Sequence, residues 1–167
     1  MFRSVYEKRR EMFIQLIKAN VNDCCRIHEM QVKAFADLLD KYHDYATNPA
    51  AEALEKIIHR MEQPFTDYYF IQLGCKSIGV IRSVRLTDNA CRIAPIFILP
   101  EFQGKGYAQQ TIKNIESIYP NVCHWELDTI KQEPKLCYLY EKMGYVSTGK
   151  EEGIQHGMTI IFYEKYK

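Results

Sequence analysis

The apolar residues of this chain change their period at Pro64. Upstream, Cys24, Ile27, Met30, Ala34 and Leu38 recur at steps of three and four, the stripe of an amphipathic helix. Asn20, with Asp23 three positions on, resembles a capping box in which Asp replaces the usual Glu. Ala50, Leu54, Ile57 and Met61 make a second stripe behind Asn48-Pro49, an N-cap followed by proline at the first helical position. Pro64 should end that helix. Downstream, 68–73, 77–86 and 90–99 are rich in β-branched and aromatic residues, and Gly74 and Thr87-Asp88-Asn89 read as turns between them. These three strands should form an antiparallel meander.

The remaining segments extend the pattern. A first strand is expected at 13–17. Gly104 to Ile118 reads as a loop entering a helix, ended by Pro120, and 122–129 as a strand. A helix at 135–143 is closed by Gly144, and strands follow at 145–148 and 158–166. The fold class is therefore α/β or α+β: a single mixed, mostly antiparallel six- to seven-stranded sheet flanked by about four helices.

Composition narrows the function. Twenty-two basic against twenty-one acidic residues leave a net charge of +1. That lacks the broad positive field of non-specific nucleic-acid binding, but leaves room for a small basic pocket. With 47% hydrophobic and 26% charged residues the chain is not a disordered tail. Its 167 residues suit one domain, 1–167, with 1–12 as an N-terminal extension. Gln15 and Lys18 interrupt 13–19, so no signal peptide is expected, and no apolar run is long enough to span a membrane. The six cysteines are irregularly spaced, with no CxxC pair and no His/Cys cluster, so no metal site is expected. They read as reduced, mostly buried thiols of a cytoplasmic protein.

The informative stretch is Ile96-Phe97-Ile98-Leu99-Pro100-Glu101-Phe102-Gln103-Gly104-Lys105-Gly106-Tyr107-Ala108. A strand enters a loop with two glycines, and a helix starts there. Glycine lets backbone amides approach an anion, and the helix N-terminus adds unpaired N–H groups and about half a positive charge. Together they make a diphosphate cradle. The same glycines also suit an ordinary strand-to-helix turn. The segment is no P-loop, lacking GxxxxGK[ST], and no dinucleotide fingerprint, because the third glycine would fall at Gln109.

Gln103-x-x-Gly106-x-Ala108 resembles the coenzyme A loop [RQ]-x-x-G-x-[GA] of the GNAT (Gcn-related N-acetyltransferase) family. Leu139-Tyr140-Glu141-Lys142-Met143-Gly144-Tyr145 is similar to that family's LYEKxGF segment, and Tyr140 follows Gln103 by 37 positions, a spacing typical of it. The element order matches from Phe13 to the C-terminus. The chain is identified as a member of this family, of a bacterial type.

The resemblance implies an acyl-CoA N-acyltransferase fold, with the fourth and fifth strands splayed around the cofactor's pantetheine. Acetyl-CoA (coenzyme A) would lie on the backbone of Ile96, Phe97 and Ile98. Its diphosphate would rest on the amides of Gln103, Gly104, Lys105, Gly106, Tyr107 and Ala108. Lys135 or Lys131 would meet its 3′-phosphate. The implied chemistry moves acetyl directly from the thioester to a primary amine. The amine must lose its proton, since an ammonium near pKa ~10.4 has no lone pair. A backbone N–H near Ile98 would face the oxyanion. Tyr140 stands at the family's acid position, and a phenol near ~10 suits protonation of a thiolate near ~8.5. Among Glu126, Asp128 and His124, which alternate onto one face of 122–128, Glu126 is the first choice of base, with a water chain as competitor. The family's frequent asparagine before the tyrosine is absent from 132–138, which leaves cofactor contacts there open.

Acceptor choice falls to the first two helices, their connection and the last strand pair. Tyr42, Asp44 and Tyr45 suit a pocket for a cationic amine. No extended acidic groove is visible, so the expected partner is a small-molecule amine such as a polyamine, amino acid or aminoglycoside. No nucleic acid or membrane partner is expected, and a homodimer stays open. The alternatives are a catalytically weak acyl-CoA-binding sensor and a protein or peptide N-acetyltransferase.

Overall fold

In the computed structural model, which describes residues 13–167, the chain runs β1 (Ile14–Lys18), α1 (Cys24–Tyr42), α2 (Leu54–Met61), β2 (Thr66–Leu73), β3 (Lys76–Thr87), β4 (Ala90–Ile98), α3 (Tyr107–Ile118), β5 (His124–Ile130), α4 (Pro134–Lys142), β6 (Val146–Gln155) and β7 (Met158–Tyr166). The expected 1–12 extension lies outside the described residues. One seven-stranded sheet results, in the order β1-β2-β3-β4-β5-β7-β6. Every neighbouring pair is antiparallel except β4 and β5. No described helix is long and apolar enough to cross a membrane.

Strand alternation sorts the core onto two faces. Tyr68, Phe70, Val80 and Phe97 face α1 and α2, where Ile27 and Ile57 are fully buried. Ile71, Ile81, Ile93, Trp125 and Leu127 face α3, α4 and the residue that follows α4, which contribute Ile112, Ile115, Tyr140 and Met143. Each fully buried isoleucine is worth about 1.5–3 kcal/mol of transfer free energy. Gly79 lets β3 and β4 close up, because a Cβ there would lie 2.1 Å from the Phe97 carbonyl oxygen.

The capping box forms as expected. Asn20 Oδ1 accepts from the Asn22 N–H and the Asn20 N–H donates to Asp23 Oδ2, each at 2.9 Å. The second helix differs from expectation. Asn48 caps only a short 3-10 turn, Pro49–Ala51, after which Glu52 and Ala53 are extended and α2 begins at Leu54. The extended link lets Glu52 reach Arg60 and Gln31. β6 continues to Gln155 rather than stopping at Thr148, as an exposed edge strand with no apolar alternation to announce it. Only Cys24 and Cys91 of the six free thiols are buried, so the expectation of mostly buried cysteines is corrected.

Candidate active site

β4 and β5 share three rungs, Ala90 with His124, Cys91 with Trp125, and Arg92 with Glu126. Beyond Arg92 they part. The register of β4 on β3 moves from Ile93 opposite Ser83 to Ile96 opposite Ile81, so β4 carries one extra residue at Ala94-Pro95, opposite Arg82. Such a bulge bends its strand. Arg82 Nε donates to the Ala94 carbonyl and holds the bulge. Between the parted strands lies a cavity of about 930 Å³.

One edge of β4 is free along this cavity. The Leu99 N–H donates to Ile78 at 2.8 Å, so it points to β3. Alternation then turns the N–H groups of Ile98 and Ile96 toward the gap. Gln103 Nε2 donates to the Ile98 carbonyl at 2.8 Å and ties the loop to the strand end. Ile96, Phe97, Ile98, Gln103, Gly104, Gly106, Tyr107 and Ala108 all line the cavity. Lys105 does not; its Nζ lies 5.9 Å from the Phe102 ring centre.

The loop fits an anion. Gly104 and Gly106 have φ of +74° and +80°, the left-handed region that favours glycine, and open space surrounds both Cβ positions. Gly106 is the N-cap of α3, and among the described residues no side chain caps that first turn. The opening N–H groups of α3 are thus available to a diphosphate. Lys135 also lines the cavity, whereas Lys131 pairs with Glu151 at 2.6 Å.

Tyr140 sits in the wall, 5% exposed, packed on the rings of Tyr145 and Tyr163 at 6.3 and 6.2 Å. Among the described residues its hydroxyl has no hydrogen-bond partner. Burial, and then the Asp128 charge, push this phenol well above its ordinary range, so it keeps its proton at neutral pH.

The three candidate bases fall at different places along β5. Glu126 lies on the last shared rung, outside the cavity wall, with its carboxylate 3.8 Å from His124 Nδ1. Asp128, one pleat further along β5, lines the cavity and pairs with Arg92. His124 stacks on Tyr166 and bonds Glu164. The expected trio therefore shares a strand face without sharing the cavity.

The aromatic connection is also dispersed. His43 adopts φ 52° at the end of α1 and redirects the chain. Tyr42 bonds Glu133 at 2.5 Å, and Tyr45 is 70% exposed and off the cavity. Asp44 lines the cavity, but its carboxylate accepts from the Ala46 N–H, the Thr47 N–H and the Thr47 hydroxyl. Sequence reasoning passed over Arg82, Arg92 and the Glu52–Arg60 pair, which line the α1 side. A signal existed for Arg82, a charge set inside the apolar run of β3.

A family model described as an acetyltransferase (GNAT) domain matches residues 18–167. The chain therefore belongs to the GNAT family and is an N-acetyltransferase. Its fold is that of solved acetyltransferases. A spermidine N-acetyltransferase from Vibrio cholerae, in complex with CoA and spermine, superposes with a TM-score of 0.72 at 19% identity, over 92% of this chain and 95% of that one. An acetyltransferase from Salmonella typhimurium that modifies the N-terminal serine of ribosomal protein L7/L12 gives 0.73 at 13%, over 93% and 95%. An acetyltransferase from Thermus thermophilus gives 0.71 at 14%, over 93% and 97%. No curated protein matches the chain in sequence.

Proposed function

We propose that the protein transfers acetyl from acetyl-CoA directly to the primary amine of a small molecule. The observation that carries this reading is the forked cavity, with the Gln103–Ala108 loop at its mouth and Tyr140 in its wall. Bound acetyl-CoA supplies an activated thioester acyl group. The open cradle at Gly104 and Gly106 and the bare first turn of α3 suit its diphosphate, and the free β4 edge suits an amide-bearing arm.

Each remaining task falls to a residue of this chain. The Ile98 N–H, directed into the gap, donates to oxygen that gains negative charge there. Tyr140, kept protonated by burial, donates its proton to the departing thiolate. Asp128, directly or through one water, accepts the proton of the attacking amine, a role that passes to it from Glu126 by position in the fork. A cavity of about 930 Å³ is in the size class of small-molecule sites, which supports a small acceptor over a folded protein.

The test is thiol release from acetyl-CoA against a panel of amines. Acceptor-dependent release supports the enzyme. Binding of acetyl-CoA without release for any amine supports a sensor instead.

A further inference from the structure

We propose that the acceptor amine also carries a carboxylate, and that the Arg82 guanidinium binds it at the closed end of the fork. This rests on the acetyl-transfer reading above and names the substrate class of the same site.

Charge accounting on the cavity wall carries the inference. Arg60 meets Glu52 in two hydrogen bonds of 2.8 and 2.7 Å, and Gln31 adds a third at 3.0 Å. Arg92 meets Asp128. Asp44 is satisfied by three local donors. Arg82 lines the same cavity, set in the sheet between Tyr68 on β2 and the β4 bulge. Its guanidinium lies 5.7 Å from the Tyr68 ring centre, and its Nε is used on the Ala94 carbonyl. Among the described residues its two Nη groups have no acceptor, and no carboxylate pairs with it. Lys135, Lys150 and Glu152 line the cavity too, but they are exposed and water can serve them.

A partly dehydrated guanidinium without an anion is costly, and a planar fork with two free N–H edges matches a carboxylate. One monoanion balances one arginine, whereas a phosphate dianion would leave charge uncompensated. Position assigns this anion to the acceptor rather than to the donor's phosphates. The Ala94 carbonyl that Arg82 grips is four residues before Ile98, about 13 Å of strand from the end that leads into the glycine loop. A polyamine brings only positive charge toward Arg82 and is disfavoured there.

The experiment compares amino acids, their carboxamides, aminoalkyl phosphates, putrescine and spermidine as acceptors, by kcat/KM for thiol release from acetyl-CoA. The wild type should prefer a carboxylate-bearing amine over its carboxamide by about 30-fold or more. Arg82→Gln should erase that ratio, mainly through KM, and Arg82→Lys should restore part of it. If Arg82→Gln does not fold by circular dichroism, the wild-type acid-to-amide ratio decides alone. Preference for a carboxamide, a phosphate or a polyamine overturns the proposal. So does an unchanged ratio in a folded Arg82→Gln, or no release with any carboxylate-bearing amine while acetyl-CoA still raises the melting temperature. Failure of acetyl-CoA to raise that temperature is a different result, and it overturns the acetyl-transfer reading itself.

Discussion

The Arg92 guanidinium on β4 grips the Asp128 carboxylate on β5 just past the last rung the two strands share. The pair bridges the crotch of the fork, so it both ties the strands and fixes a carboxylate at the inner end of the cavity. Glu126, one pleat back, stays among the paired rungs.

That placement separates two carboxylates that look alike in the sequence. Asp128→Asn should lower kcat/KM by about 10²-fold or more, and Glu126→Gln by only a few-fold. Steady-state thiol release checks this, and the reverse pattern would return the base to Glu126.

On the proposed mechanism Tyr140 acts as an acid, not as packing alone. Tyr140→Phe keeps the ring contacts with Tyr145 and Tyr163 and removes only the hydroxyl. Turnover should fall by about 10²-fold with acetyl-CoA affinity unchanged. Because burial holds the phenol above its ordinary range, the wild type should show no alkaline limb from this group below about pH 10. Equal kcat in the variant would remove the role.

Glu52 gives a pH test of stability. Burial pushes its carboxyl up, but two hydrogen bonds and the charge of Arg60 outweigh that and leave it below the ordinary carboxylate range. A depressed carboxylate contributes stability above its unfolded value of about 4.3 and loses it as pH falls through the folded one. Glu52→Gln should cost about 1–3 kcal/mol at pH 7, and its melting curve should converge on the wild type below about pH 4. Melting temperatures from pH 7 to the acid limit check this; a constant offset across that range would contradict it.

Local features were legible in the sequence, and tertiary ones were not. The glycine loop, the Asn20 cap and the Tyr140 register depend on residues close in the chain, so spacing announces them. Which of Asp128 and Glu126 lines the cavity depends on the rung at which β4 leaves β5, and an extra residue at Ala94-Pro95 decides that through pairing with distant β3. Tyr42 and Tyr45 looked like an aromatic pocket until the left-handed turn at His43 sent them elsewhere. Arg82 reads as a break in an apolar run and gains meaning only beside the Ala94 carbonyl and the cavity.

On the proposed reading the forked sheet and the glycine loop hold acetyl-CoA, and the melting temperature with and without acetyl-CoA tests this most directly. At ~100 times Kd the wild type should gain about 2.7 kcal/mol, a rise of roughly 5–10 °C for a chain of this size. Gly106→Glu, which puts a carboxylate into the cradle and a side chain at φ +80°, should melt somewhat lower alone and show no rise with acetyl-CoA. A wild type whose melting is unmoved by acetyl-CoA, or a Gly106→Glu variant stabilised as much as the wild type, would contradict the account.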